Sequence, residues 1–209
     1  MHVREMGEGA NAIDAAYRVI GALREIEAKW NGEKDQHPEF LSEDHPINLN
    51  IGKIAGGDWG SSVPAWCRFQ VRIAIYAGQN AAEKLREIED HVSAFARQDR
   101  FLSQNPPQIV QNGFNAEGYV LAPGSEAEKT LATAHEAAFG APLETMTTPA
   151  YLDARVYALY NNIPTLCYGP VSRNIHGFDE CVSLSSLRKV TKAMALFVAD
   201  WCGTEPVSE

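Results

Sequence analysis

From residue 11 to residue 30 apolar side chains recur at three- and four-residue steps: Ile13, Ala16, Ile20, Leu23, Ile26 and Trp30. That spacing predicts an amphipathic helix over Asn11–Trp30, stopped by Gly32. A polar stretch with Pro38 and Pro46 reads as a loop. Ile47–Ile54 then predicts a strand, ended by Gly56-Gly57. Over Val63–Tyr76 the period changes to two. Val63, Ala65, Cys67, Phe69, Val71, Ile73 and Ile75 fall on one face, and Arg68, Gln70 and Arg72 on the other. One face is therefore expected to be buried and the other polar, as in an antiparallel sheet. A turn at Ala77–Asn80 leads to a second helix over Ala81–Phe95, with Leu85, Ile88, Val92 and Phe95 inward. Pro106-Pro107 breaks the chain, and Gln108–Phe114 predicts a short strand.

The order helix, strand, strand, helix, strand is that of a ferredoxin-like βαββαβ unit without its first strand. That strand is expected to precede residue 1. Past residue 115 the rhythm changes. Ser125–Phe139 predicts a helix closed by Gly140, Leu143–Thr147 a strand, and Tyr151–Arg155 the start of a short helix. Ile163–Tyr168 reads as a compact apolar strand ended by Gly169-Pro170. Leu187, Val190, Met194, Phe197 and Trp201 mark a last helix, with Ser183 or Ser185 as its N-cap. The expected fold class is α/β: an α+β lid over residues 1–115, then an α/β segment over 116–209.

With 209 residues, 45% of them hydrophobic and 22% charged, the chain is globular rather than disordered. No apolar run is long enough to span a membrane, and no signal-peptide apolar run occurs near Met1. A net charge of −9 argues against nucleic acid or anionic lipid as partner. Cys67, Cys167, Cys181 and Cys202 form no C-x-x-C pair, so they read as buried free thiols in a reducing cytoplasm.

Candidate chemistry centres on His176, in a Gly-flanked loop after a strand with Asp179 and Glu180 nearby. A neutral imidazole oriented by carboxylates suits zinc, but one histidine is not a metal site, and no H-x-H or H-E-x-x-H occurs. Asp153 and Arg155 are placed to orient a substrate or to form a surface ion pair; a guanidinium forks onto a carboxylate. Arg72 on the polar strand face, Gly169 in its turn and His2 near the start each have an ordinary structural reading as well. G-x-S-x-G and P-loop patterns are absent.

Several of these residues fall in motifs that resemble the acetylornithine deacetylase / succinyl-diaminopimelate desuccinylase / carboxypeptidase G2 family of two-metal amidohydrolases. His2, Gly9, Asn11, Ala12 and Ile13 resemble its H-x6-G-x-N-A-I segment. Gly56-Gly57 and Ser61-Ser62-Val63-Pro64 resemble its G-G…N-x-V-P turn, and Arg72 and Gly78 its R…G strand end. Asp153-Ala154-Arg155, Ile163-Pro164-Thr165, Tyr168-Gly169-Pro170 and His176-Gly177-Phe178-Asp179-Glu180 resemble D-A-R…I-P-T…[FY]-G-P…H-G-x-D-E. The resemblance implies a catalytic domain with two divalent ions, zinc or alternatively cobalt or manganese, and a ferredoxin-like lid that forms a homodimer. It implies that a metal-activated water, with a glutamate base, attacks the amide of an N-acyl amino acid or dipeptide-like substrate carrying a free carboxylate. His176 would then be a metal ligand, and His2 a catalytic group stabilising the oxyanion in a partner's site. Arg155, Arg72 and Asp153 would hold or orient the substrate, and Gly169 would line its loop. The family's other metal ligands and its base would precede residue 1, so this chain alone is expected to be inactive. A non-catalytic dimerisation module and one half of a split enzyme are the alternatives. Departures from the pattern are Ser61 in place of asparagine, Met6 in place of proline, and Tyr151-Leu152 in place of small residues.

Overall fold

The computed structural model describes residues 10–205 together with His2, Arg4 and Gly7. It divides into two compact units, Met1–Gly118 with Thr147–Tyr151, and Tyr119–Met146 with Leu152–Glu209.

In the first unit, α1 (Ala12–Gly32) begins at Asn11, whose side chain accepts hydrogen bonds from the N–H groups of Ile13 (2.8 Å) and Asp14 (3.3 Å). These two bonds satisfy amides that the first turn leaves without intrahelical partners. Of the stripe that the periodicity predicts, Ala16, Leu23, Ile26 and Trp30 are buried and Ile13 and Ile20 half-buried, while Val19, outside that stripe, is buried as well. The strands β1 (Leu49–Gly56) and β2 (Cys67–Ile73) pair antiparallel, and α2 (Ala81–Gln98) completes the unit. Asn80 caps α2 by accepting from the Glu83 N–H. The core joins Ile26, Trp30, Ile47, Leu49, Tyr76 and Val92, with Ile51, Phe69 and Ile73 of the sheet against it. The helix-strand-strand-helix order is the α+β lid expected from the sequence.

The β1–β2 register explains an irregularity in the sequence. Leu49 and Ile51 are two apart, but the next apolar residue, Ile54, is three further on. A bulge between Ile51 and Lys53 absorbs the extra residue, so that Leu49, Ile51 and Ile54 stand opposite Ile73, Val71 and Phe69. The same bulge keeps Asn50, Lys53 and Ala55 opposite Arg72, Gln70 and Arg68 on the other face. β2 is shorter than the alternation suggests. Pro64 cannot donate to a ladder, and Val63–Trp66 instead turns toward α1, where the Pro64 carbonyl accepts from the Ala12 N–H at 3.0 Å. Gly56 sits at this crossing. A Cβ on it would lie 2.9 Å from Ile13 Cγ1, 3.0 Å from the Trp66 carbonyl oxygen and 3.1 Å from Cys67 Cβ.

Polar clusters tie the loops to the helices. Buried Glu27 accepts from the Leu49 N–H (2.7 Å) and from Arg24 Nη1 (2.6 Å), with His45 Nε2 at 3.2 Å. Asn31 bonds both the N–H and the carbonyl of Ile47. On the α2 side Glu87 accepts from Lys29, Lys84 and Trp30 Nε1. Burial works against the Glu87 carboxylate, but these three donors outweigh it and hold its pKa at about 2. Asp99 is forked onto Arg18 and accepts backbone N–H bonds from Leu102 and Phe101, which also brings it to about 2.

In the second unit α3 (Glu126–Phe139) starts on a Ser125 cap and ends on Gly140 at φ 73°, as its sequence predicts. It packs on α5 (Leu184–Cys202), capped by Ser183, through Ala127, Leu131 and Ala134 on one side and Val190 and Ala193 on the other. Between them lie α4 (Ala154–Tyr160) and a two-residue ribbon of β3 (Ser172–Arg173) with β4 (Cys181–Val182).

Three expected strands do not form: Gln108–Phe114, Leu143–Thr147 and Ile163–Tyr168. A strand needs a neighbour's free backbone groups, and among the described residues the only ladders are β1–β2 and β3–β4. Side chains hold the third segment instead. Tyr119 donates to the Thr165 carbonyl (2.9 Å), His135 Nδ1 meets the Tyr168 hydroxyl (2.8 Å), and the Val171 N–H donates to Ser186 Oγ (3.0 Å). The cysteines are free, but not buried as expected: Cys67 is half-buried and the other three are exposed. No helix among the described residues is long and apolar enough to cross a membrane.

Two outcomes follow from these contacts. Gly56→Ala should cost about 1–3 kcal/mol, because backbone and an inflexible Cβ bound its space; urea denaturation measures this. Glu87 and Asp99 ionise more readily in the folded state. The stability they contribute is present above about pH 4.5 and is lost as the pH falls toward 2. Glu87→Gln should flatten the fall in urea midpoint across that window.

Candidate functional site

The first unit brings together motif segments that lie about fifty residues apart in the chain. A cleft of about 430 Å³ is lined by Asn11 and Ile13 from the start of α1 and by Gly56, Gly57, Trp59 and Pro64 from the β1–β2 connection. Gly57 has φ 73°, in the left-handed region, and donates its N–H to the Trp66 carbonyl. Trp66 Nε1 in turn bonds Asp58. His2 forms an isolated antiparallel bridge with Ser62, so it belongs to the same neighbourhood. Its Nδ1 accepts from the Arg4 N–H at 3.1 Å. Gly9 and Met6 lie outside the described residues.

Arg72 is on the exposed face of the β1–β2 sheet with Arg68, Gln70, Asn50 and Lys53. Its guanidinium lies 5.5 Å from the centre of the Phe114 ring, and that ring is 4.6 Å from Tyr151. Nothing along the chain marks Phe114 and Tyr151 as a pair. They are 37 positions apart, and only the folded chain joins them.

The second unit holds the other candidates. Asp153 precedes α4 without making a capping bond, and Arg155 in its first turn donates to the Tyr160 hydroxyl at 3.3 Å. Gly169 follows the His135–Tyr168 contact. A Cβ there would meet nothing within 4 Å, so packing does not require glycine. His176 is exposed, at φ 63°, between β3 and β4, and Asn174 and Asp179 in the same loop also have φ above 50°. Three left-handed non-glycine residues fall within six positions here, a backbone region that costs most side chains energy. The Gly177 N–H bonds the Asn174 carbonyl at 2.7 Å, and a Cβ on Gly177 would lie 3.1 Å from that oxygen. Sequence reasoning missed His135, Tyr119 and Ser186, which hold the 165–171 segment. Burial pushes the Tyr119 hydroxyl up to about 12, with Cys167 adding to the shift; the Tyr168 hydroxyl is also raised by burial.

These residues do not by themselves fit a metal centre. Among the described residues no three His, Cys, Asp or Glu side chains come together to hold an ion. Zinc sites take three or four protein ligands, and His176 supplies one.

Residues 1–100 match the family described as the peptidase dimerisation domain of M20 proteins. Two curated relatives match almost the whole chain. The N-formyl-4-amino-5-aminomethyl-2-methylpyrimidine deformylase of Halalkalibacterium halodurans is 26% identical over 203 residues, 93% of this chain and 47% of the relative. The enzyme of the same name from Bacillus subtilis is 26% identical over 204 residues, with the same coverage. The chain thus spans about half the length of the curated relatives it matches.

The strained loop is testable. His176→Gly relieves a left-handed histidine and should leave the melting temperature unchanged or raise it. His176→Val, β-branched at the same φ, should lower it by an amount matching about 1–2 kcal/mol. Thermal melts followed by circular dichroism separate the two.

Proposed function

The chain belongs to the M20 family of amidohydrolases, and on that premise we propose that it works as the lid and C-terminal part of a metal-dependent enzyme cleaving linear amides. The observation that carries this reading is the likeness along 93% of the chain to two proteins named as N-formyl deformylases. The substrate would be an N-acyl amino acid or a related small amide with a free carboxylate. Arg155 would hold that carboxylate and Asp153, two positions before it, would orient another part of the substrate; Arg72 is a second candidate for the carboxylate. Gly169 would line the loop beside the ligand. His2 would supply a ring donor that stabilises an oxyanion, its Nδ1 being engaged by the Arg4 N–H.

A divalent ion, zinc or alternatively cobalt or manganese, would polarise the amide carbonyl and lower the pKa of a bound water. His176 would be one of its ligands, the remaining ones coming from residues other than those described. The exposure and backbone strain of His176 support a role other than packing. The dimerisation-domain match supports a homodimer formed through the first unit. Both outer edges of the β1–β2 pair lack ladder partners among the described residues and are available to a second copy. Four free cysteines suit a reducing compartment such as the cytoplasm.

Reconstitution tests the reading. The chain is co-expressed with the polypeptide encoded immediately upstream, and formate or acetate release from N-formyl and N-acetyl amino acids is followed with zinc, cobalt or manganese. Metal-dependent turnover is expected only from the pair, and His176→Ala should abolish it together with metal retention. Turnover by this chain alone, or by the pair carrying His176→Ala at the unmodified rate, would overturn the assignment.

A further inference from the structure

We propose that the polar face of the β1–β2 sheet, walled by Phe114 and Tyr151, binds a planar aromatic ring that carries anionic groups. Three cations crowd this face. Lys53 stands opposite Gln70, and so lies diagonally between Arg68 and Arg72. All three are exposed, and none makes an ion pair within the described residues. Like charges placed this way repel, and in a chain of net charge −9 no general basic surface accounts for them. An anion on the face removes that repulsion.

The second part of the argument is aromatic. Phe114 is 64% exposed and Tyr151 39% exposed, yet the two rings pack on each other 4.6 Å apart, and the Arg72 guanidinium lies over the Phe114 ring. One side chain thus supplies charge beside a ring already in place. A planar ring stacked on Phe114 puts its carboxylate or phosphate within reach of Arg72. The chain carrying Phe114 is anchored close by, with the Glu117 carboxylate accepting from the Ala81 N–H and the Gly118 carbonyl from the Gly78 N–H. The inference deepens the amide-hydrolysis reading, which gives Arg72 to a substrate carboxylate; what it adds is the ring platform and the neighbouring cations Lys53 and Arg68.

Titration calorimetry on this chain tests it with isophthalate, its saturated counterpart cis-cyclohexane-1,3-dicarboxylate, and neutral isophthalamide. Isophthalate should bind about five- to tenfold tighter than the saturated dianion, the size of one aromatic stacking contact, and isophthalamide should bind more weakly than either. Phe114→Leu should erase the preference for the aromatic dianion while retaining dianion binding. Arg68→Gln and Arg72→Gln should each weaken isophthalate at least about tenfold, the scale of one charge-assisted contact. Equal affinity for the two dianions, a preference that survives Phe114→Leu, or undiminished binding by both arginine variants would overturn the proposal. If the reconstituted enzyme cleaves amides while this discrimination is missing, only the ring platform falls. If the discrimination holds and no amide is cleaved, only the hydrolase reading falls.

Discussion

The first turn of α1 and the end of β1 approach so closely that a single methyl group would not fit between them. Gly56 leaves that space, Ile13 fills it from the helix, and the Ala12–Pro64 hydrogen bond closes it from the other side. Much of the first unit depends on this contact. It fixes where the helix starts, turns the chain after β1 and releases β2 from the residues before Cys67. It also converts two separated stretches of glycine, asparagine and proline into one cleft wall. Hydrophobic burial around Trp30 and Tyr76 stabilises the unit, but that burial is non-directional. The short contact at Gly56 sets the geometry.

The second unit is held differently. Two helices pack through alanines and branched residues, while the segments between them rely on single side-chain hydrogen bonds from Tyr119, His135 and Ser186. Much apolar surface stays exposed here, including Tyr160, Val171 and Leu184. The loop carrying His176 keeps three residues in a costly backbone conformation on the smallest of ladders. Strain of this kind persists where something other than local stability selects the residue.

Helices are legible in the chain, and their ends to within a few residues. Ser183 reads as a cap from the sequence, whereas Asn11 and Ser125, which the periodicity places inside their helices, and Asn80, which it places in a turn, are caps in the structure. The two-period alternation around Phe69 marked β2 and its polar face. The bulge was readable in principle, as the odd spacing from Ile51 to Ile54. The three absent strands show where such reading stops. Ile163–Tyr168 is as apolar as many buried strands, yet no described strand offers it an edge. Of the candidate site residues, Arg72 lies on the exposed sheet face that the alternation predicts, whereas its ring partner Phe114 reads as part of a strand and Tyr151 as a helix start.

What the sequence determined by itself is the set of local decisions: where helices begin and end, which strand face is polar, and which residues carry family-like chemistry. These depend on interactions within a few residues, on capping bonds and on periodicity. Tertiary structure alone decided which segments become strands, how far β2 extends and which side chains meet across the chain. A ladder requires a partner's backbone, and a ring stack or a guanidinium over a ring requires two distant segments in register. No property of either segment alone contains that information.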